Sequence, residues 1–111
     1  YPNPHFKLEI SEADSPGKAK CGVRGSALKT VAVSGGPDLY DGLWHNIECR
    51  VIHLPTNRLE LWVDGTLRAS VAGQIGSIVT GTPMLLGKHS TQEAGRYSGR
   101  MDDVRIRWAT P

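Results

Sequence analysis

The fold class of this chain is decided by the stretch Leu59-Glu60-Leu61-Trp62-Val63-Asp64-Gly65. Leucine or valine occupies its first, third and fifth positions, and this period of two predicts a strand with one buried face. The Asp64-Gly65 pair predicts a two-residue hairpin, because a type I′ turn needs a positive φ at both central positions. The return strand is expected to run from Thr66 to Val71. Asp64 and Gly65 are therefore interpreted as structural turn residues.

A second alternating segment lies upstream, between residues 43 and 51. The side chains predicted to face the core are Leu43, His45, Ile47, Cys49 and Val51. Trp44 has the opposite parity, and we expect it either to pack on the second sheet or to lie at a rim. An inward imidazole at His45 needs a hydrogen-bond partner for each of its nitrogens. Because no nucleophile or metal-binding set accompanies His45 in the sequence, a structural role is favoured over a catalytic one.

The rest of the chain follows the same pattern of short alternating segments separated by turns. In the first segment, Phe6, Leu8 and Ile10 share one face. Glycine and proline recur between the segments, and helical periodicity is nearly absent. Further strands are predicted over residues 6–10, 19–23, 27–33, 84–87 and 97–108. About eight short strands without a helix predict an all-β sandwich or barrel.

The overall composition indicates a single globular domain over residues 1–111. Apolar residues make up 39% of the chain and charged residues 22%, which is ordinary for a folded domain. The net charge is only +2, and both signs are interspersed, so we expect neither a nucleic-acid nor a membrane-surface partner. No apolar stretch approaches the roughly 20 residues that a membrane span requires.

The chain contains two cysteines, Cys21 and Cys49. They are too far apart in sequence for a CxxC motif, so a zinc ribbon or a thioredoxin-like site is disfavoured. The remaining alternatives are one disulfide and two free thiols. The disulfide is favoured for a secreted protein, since disulfides persist in oxidising compartments.

Three blocks of sequence together resemble a known family. Residues 41–47, Asp-Gly-Leu-Trp-His-Asn-Ile, resemble the "DGxWHxV" strand start of laminin-G-like domains. Residues 59–65 resemble the "LxLYVDG" hairpin, and residues 98–106 resemble the closing "GxIDDVRIY" strand. Residues 83–87 are similar to the "PLYIG" strand between them. The resemblance implies a laminin-G-like domain of the concanavalin A-like lectin and glucanase group, with an antiparallel jelly-roll β-sandwich.

The opening strands of that family, with their "FDG…Y" pattern, have no counterpart upstream of Tyr1. Three alternatives follow from the resemblance. The strands were removed, or this is a compact variant, or another chain or a second copy supplies them. An uncovered gap would leave an apolar face and unpaired backbone groups, which favour edge association.

The resemblance also implies a structural calcium ion near Asp102 and Asp103. In many relatives the corresponding region helps to hold calcium between the sheets. Adjacent residues of a strand point to opposite faces, so both carboxylates cannot ligate one ion in regular geometry. Calcium takes six or more oxygens, and much of the site would come from the opening strands.

The motifs argue against an enzyme. A retaining glycosidase needs two carboxyl groups about 5 Å apart, and the glutamates of this chain do not alternate along one strand. No GxSxG, HExxH or P-loop pattern is present. A glycoside-hydrolase fragment is therefore the least favoured reading.

The favoured function is a non-catalytic, secreted binding module that recognises carbohydrate or protein through its loops. The candidate loops span residues 35–40 and 88–97, and their candidate ligand-binding residues are Tyr40, His89, Gln92, Arg96 and Tyr97. An exposed Trp62 or Trp108 would strengthen the carbohydrate interpretation. The alternative function is a structural subunit that strands from another chain complete.

Overall fold

The structure, a computed structural model, describes residues 5–10, 17–26, 30–53, 56–76, 100–101 and 105. No residue in these ranges is helical. Within them, the strands are β1 His5–Ile10, β2 Ala19–Arg24, β3 Thr30–Gly35, β4 Ile47–Ile52, β5 Arg58–Val63 and β6 Thr66–Ala72. The predicted all-β class is confirmed.

The chain divides into two compact units, residues 1–80 and 81–111. All six strands belong to the first unit. In the second unit the structure describes Arg100, Met101 and Arg105, each of which is exposed. The strand predicted at 84–87 lies outside the described residues, as does most of the one at 97–108. A single domain over the whole chain stays a prediction.

The six strands form two antiparallel sheets, each a simple meander. One sheet has the order β1-β2-β3 and the other β4-β5-β6. Strand β2 buries every second residue, and both β2 and β3 contact strands of the other sheet. The two inner faces enclose the core, whose buried apolar residues are Ala19, Cys21, Val23, Val31, Val33, Leu39, Leu59, Leu61, Val63 and Ile75. The first unit is therefore an antiparallel β-sandwich.

A disulfide joins the two sheets through the core. Cys21 of β2 is bonded to Cys49 of β4, with a Cα–Cα distance of 6.2 Å. Cys49 packs against the core, on the inward side that the alternation predicted, and Cys21 is fully buried. Of the two alternatives, a disulfide and two free thiols, the structure has the disulfide.

The hairpin between β5 and β6 has the predicted turn. Asp64 has a φ of 52° and Gly65 a φ of 79°, the two positive values that a type I′ turn requires. Aspartate tolerates the left-handed region better than most side chains. The hairpin aligns Leu61 with Ala69 across the strands, and both face the core.

Strand β1 differs from the expected half-buried strand. Phe6 lies opposite Val23 and Leu8 opposite Cys21, so both side chains share the core face of the sheet. Phe6 is nevertheless 45% exposed and Leu8 43% exposed. The period-two pattern correctly predicted which face is apolar, but the described residues leave this part of the face partly uncovered.

The prediction of an inward-facing strand from residue 43 was wrong at its start. Strand β4 begins at Ile47, and Leu43 is 70% exposed rather than buried. Gly42 has a φ of 76°, which breaks the extended conformation. The N–H group of Asn46 donates to the Asp64 carboxylate instead of to a strand carbonyl. The segment before Ile47 is therefore a loop.

Candidate functional site

The loop between β3 and β4, residues 36–46, exposes three large apolar side chains. Tyr40 is 63% exposed, Leu43 70% and Trp44 66%. We call these three side chains the apolar tip. Burial of apolar surface is favourable, so three exposed large apolar side chains within five consecutive residues of one loop mark a candidate binding surface.

The base of this loop is fixed to the sandwich. The N–H of Leu39, whose side chain is buried, donates to the carbonyl of Gly17 at 2.7 Å. The Lys18 Nζ donates to the carbonyl of Gly36 at 2.9 Å. Gly17 has a φ of 79°, and a Cβ there would overlap Oδ1 of Asp38. A glycine is therefore required where the loop contacts the start of β2.

Two aspartates shape the middle of the loop by binding its backbone. The N–H of Tyr40 donates to Asp38 Oδ1 at 2.9 Å, and the N–H of Leu43 donates to Asp41 Oδ1 at 3.0 Å. Each is an Asx-turn, in which a side chain satisfies a backbone donor two residues ahead. Consecutive turns of this kind fix the backbone directly beneath the apolar tip.

His45 connects the loop to the β5–β6 hairpin. Its Nδ1 lies 2.7 Å from Asp64 Oδ2, and its Nε2 lies 2.9 Å from Asp41 Oδ1. We call this arrangement of Asp41, His45 and Asp64 the His45 clamp. The His45 side chain is only 12% exposed, because the groups of the loop and the turn surround it at the domain surface. Each nitrogen thus has the partner that a shielded imidazole requires.

The two carboxylates set the charge state of the clamp. The hydrogen bonds that His45 donates to Asp64 and then to Asp41 raise the pKa of His45 above its ordinary value of 6.5. The hydrogen bond to His45 is the main cause that lowers the pKa of Asp41, and the same is true for Asp64. Backbone N–H groups of Leu43 and Asn46 lower these two values further. The site thus favours an imidazolium between two carboxylates.

The geometry of the clamp does not suit a metal ion. Its carboxylates bind opposite nitrogens of a single ring, so the donor atoms diverge rather than converge on one point. No group of three or more metal-ligating side chains with suitable geometry occurs among the residues that the structure describes. Asp102 and Asp103 lie outside those residues, so a calcium site there stays a prediction.

The outer face of β4 and β5 carries a network of charged side chains around Trp62. The Arg50 guanidinium lies 4.2 Å from the centre of the Trp62 ring, within cation–π range. Arg50 also pairs with Glu48 at 2.8 Å, while Trp62 Nε1 donates to Glu60 at 3.1 Å. Trp62 is half-buried, and a guanidinium occupies one face of its ring. Trp62 is therefore a poorer stacking platform than Trp44.

Glu60 is held as a carboxylate within this network. It is buried, with 8% exposure, and accepts a hydrogen bond from Arg58 Nε at 2.9 Å. Arg58 is the main cause that lowers the pKa of Glu60. Sequence reasoning missed this network, although the alternation places residues 48, 50, 58, 60 and 62 on the outer face. Assembling it required the β4–β5 register, which places Arg50 opposite Glu60.

The structure brings together some of the residues singled out from the sequence. Tyr40 is exposed on the loop, and its role as a ligand-binding residue stays a prediction. Trp44 is 66% exposed on the same loop, so of our two alternatives it does not pack on the second sheet. Sequence reasoning missed Leu43 as an exposed residue and Asp41 as a partner of His45. The other candidate ligand-binding residues lie outside the described part of the chain: His89, Gln92, Arg96 and Tyr97.

Comparison with known proteins agrees with this architecture. A laminin-G family model of the concanavalin A-like lectin/glucanases superfamily matches residues 3–108. No curated protein and no solved structure matches the chain significantly. Because the family match covers nearly the whole chain and the described strands form the expected two antiparallel sheets, the chain belongs to the concanavalin A-like lectin/glucanases superfamily.

Proposed function

We propose that this chain is a non-catalytic binding module that recognises carbohydrate through its apolar tip. The observation that carries the proposal is the exposure of Tyr40, Leu43 and Trp44 on a loop that two backbone hydrogen bonds and one side-chain contact brace. A ligand that covers these three side chains removes apolar surface from water, which favours binding. A binding loop gains from such bracing, because less conformational entropy is lost when the ligand binds.

Carbohydrate suits the chemistry of the tip. The axial C–H groups of a pyranose ring form an apolar face that packs on an aromatic ring, while its hydroxyls need hydrogen-bond partners. Tyr40 and Trp44 supply two rings, and the exposed carboxylate of Asp38 lies between the loop base and Tyr40. Tyrosine and tryptophan each combine an apolar ring with a polar group at little entropic cost. The lectins in the superfamily description favour the same ligand class.

The state of Glu48 and Glu60 on the outer face of β4 and β5 favours a non-catalytic role. A retaining glycosidase needs one carboxyl group with a raised pKa as the acid. Glu60 instead has a lowered pKa, owing first to Arg58, and both oxygens of Glu48 accept hydrogen bonds from Arg50. Neither glutamate fits the role of a proton donor.

We also propose that the module acts outside the cell. The Cys21–Cys49 disulfide supports this location, because the cytosol keeps most thiols reduced. No helix long and apolar enough to cross a membrane occurs in the described part of the chain.

Substituting alanine for Trp44 is expected to weaken glycan binding at least tenfold, because the main stacking ring is removed. The test is a printed array of neutral and acidic glycans, followed by calorimetry on the neutral glycan that binds best. We expect Tyr40→Ala to weaken binding by a smaller factor. Since both side chains are largely exposed, the free energy of unfolding should change by less than about 0.5 kcal/mol.

The matched control is Leu67→Ala, which removes an exposed apolar side chain from β6 instead of from the tip. This variant should bind glycans like the unmodified chain. If Trp44→Ala binds normally, or if the array detects no glycan at all, the tip is not a carbohydrate site.

A second candidate function is assembly with another polypeptide through β1. The exposed, core-facing side chains of Phe6 and Leu8 favour it, and β1 pairs only with β2 among the described strands. Light scattering at two protein concentrations tests this candidate. Association predicts a mass above that of one 12.1 kDa chain that falls on dilution, whereas a constant monomer mass would remove self-association.

A further inference from the structure

We propose that protonation of His45 regulates the apolar tip, holding it in order while the imidazole is charged and loosening it once the imidazole is neutral. The effect on ligand binding rests on the proposed function. The effect on the loop itself does not, and it is measurable without any ligand.

The argument begins with the number of protons that an imidazole carries. His45 faces a carboxylate at each ring nitrogen, at 2.7 Å for Nδ1 and 2.9 Å for Nε2. Ionised carboxylates only accept hydrogen bonds, so both contacts form as hydrogen bonds only with the imidazolium. A neutral ring has one N–H group, and its other nitrogen directs a lone pair at a carboxylate oxygen. One of the two contacts must therefore open when His45 loses its proton.

The contact with Asp41 is the one expected to open. The Nδ1 contact to Asp64 is the shorter, and Asp64 is held on its other oxygen by the N–H of Asn46 at 2.9 Å. Asp64 is held further by its own N–H, which donates to the carbonyl of Asn46, the residue just before β4, at 2.8 Å. Asp41 belongs to the loop and keeps the hydrogen bond from the Leu43 N–H, so its release from His45 detaches this Asx-turn, with Leu43 and Trp44, from the hairpin.

The charged groups around His45 determine the direction of the pH dependence. Among the described residues, Asp41 faces it from the loop and Asp64 from the hairpin, while Arg68 of β6 acts electrostatically on Asp64. Because the pKa of His45 is raised in the folded chain, the clamp stabilises the ordered loop fully below the ordinary value of 6.5. This stabilisation is lost as the pH rises through the raised pKa. At the acid end it is lost as the pH falls through the lowered pKa values of Asp41 and Asp64.

The first test is an NMR titration of the unliganded chain from about pH 5 to about pH 9, the range in which histidine titrates. We expect the indole N–H signal of Trp44 to shift or broaden with the same midpoint as the ring protons of His45. The indole of Trp62 is the internal control and should not follow that midpoint. A Trp44 signal that ignores the His45 midpoint would overturn the proposal.

A variant separates the clamp from general effects of pH. In Asp41→Asn the loop side of the clamp loses its charge, so the His45 midpoint should fall and the Trp44 signal should lose its His45-linked transition. The control Glu9→Gln removes a carboxylate that pairs with Lys7 on β1 and should change neither signal. An unchanged His45 midpoint in Asp41→Asn would contradict the geometry on which the proposal depends.

The second test measures binding of the neutral array glycan, which carries no titrating group. Its affinity should fall about two- to fivefold above the His45 midpoint, the range expected for one exposed ion pair. Binding that ignores pH while Trp44 follows His45 overturns the regulatory effect and leaves the carbohydrate site standing. If the array finds no glycan, the carbohydrate site fails, and the NMR titration alone decides whether His45 controls the loop.

Discussion

Removal of the Cys21–Cys49 disulfide is expected to lower the free energy of unfolding by about 3 kcal/mol. The bridge spans a sequence separation of 28 residues, and a loop of that length restricts the unfolded chain substantially. The bridge also joins β2 of one sheet to β4 of the other, so it connects two meanders that form separate hydrogen-bonded sheets among the described strands. We therefore expect a larger loss here than at any single surface position.

The measurement is urea unfolding of the oxidised chain, the reduced chain and the double variant Cys21→Ala/Cys49→Ala. For a domain of this size, a loss of that magnitude corresponds to a melting temperature lower by roughly 10–20 °C. The double variant with and without reductant controls for effects of the reductant alone. Cys21 is fully buried, so alanine adds a small packing loss that the reduced chain does not suffer. A difference below about 1 kcal/mol between oxidised and reduced chains would contradict the prediction.

Much of the sandwich was readable from the sequence because burial and alternation have the same cause. In β5, leucines and a valine at every second position predicted a strand, and all three are fully buried. The Asp64-Gly65 pair predicted its turn from backbone sterics alone. Both features are local, so no knowledge of distant contacts was needed.

The start of β4 was not predictable from parity. Counting alternate residues is valid only within a strand. Because the count was extended to residues before β4, it wrongly assigned Leu43 to the core. The carboxylates of Asp41 and Asp64 instead bind backbone N–H groups at Leu43 and Asn46, which replaces ladder bonds with side-chain bonds. Such competition is a known property of aspartate, but the sequence does not say which N–H it will bind.

The candidate site likewise contains one contact between residues close in sequence and one between residues far apart in sequence. Asp41 precedes His45 by four residues, so their contact could have been proposed from the sequence. Asp64 lies 19 residues away and reaches His45 only because the hairpin returns beside the loop. For Phe6 and Leu8 the alternation gave the correct face, but coverage of that face depends on neighbours that a single strand does not reveal.

The other large effect is expected at the centre of the sandwich. Leu61→Ala should lower the free energy of unfolding by about 3 kcal/mol, within the usual range of 2–5 kcal/mol for a buried leucine. Leu61 is fully buried on the middle strand of its sheet. It lies between Cys49 on β4 and Ala69 on β6, and alanine there leaves a cavity that neither small neighbour can fill.

Leu67→Ala is the matched control, since it removes the same atoms from a leucine that is 44% exposed on the adjacent strand. We expect it to cost less than about 1 kcal/mol, because fewer of its contacts are lost and no closed cavity forms. Chemical unfolding of both variants measures the difference. Similar losses in the two would mean that the inner face of β5 is not the core, and the placement of the apolar tip on the outside would lose its support. We expect a large loss in the free energy of unfolding for Leu61→Ala alone. If this variant still binds glycan at temperatures where it is folded, then the residues that stabilise the sandwich are distinct from those that contact the ligand.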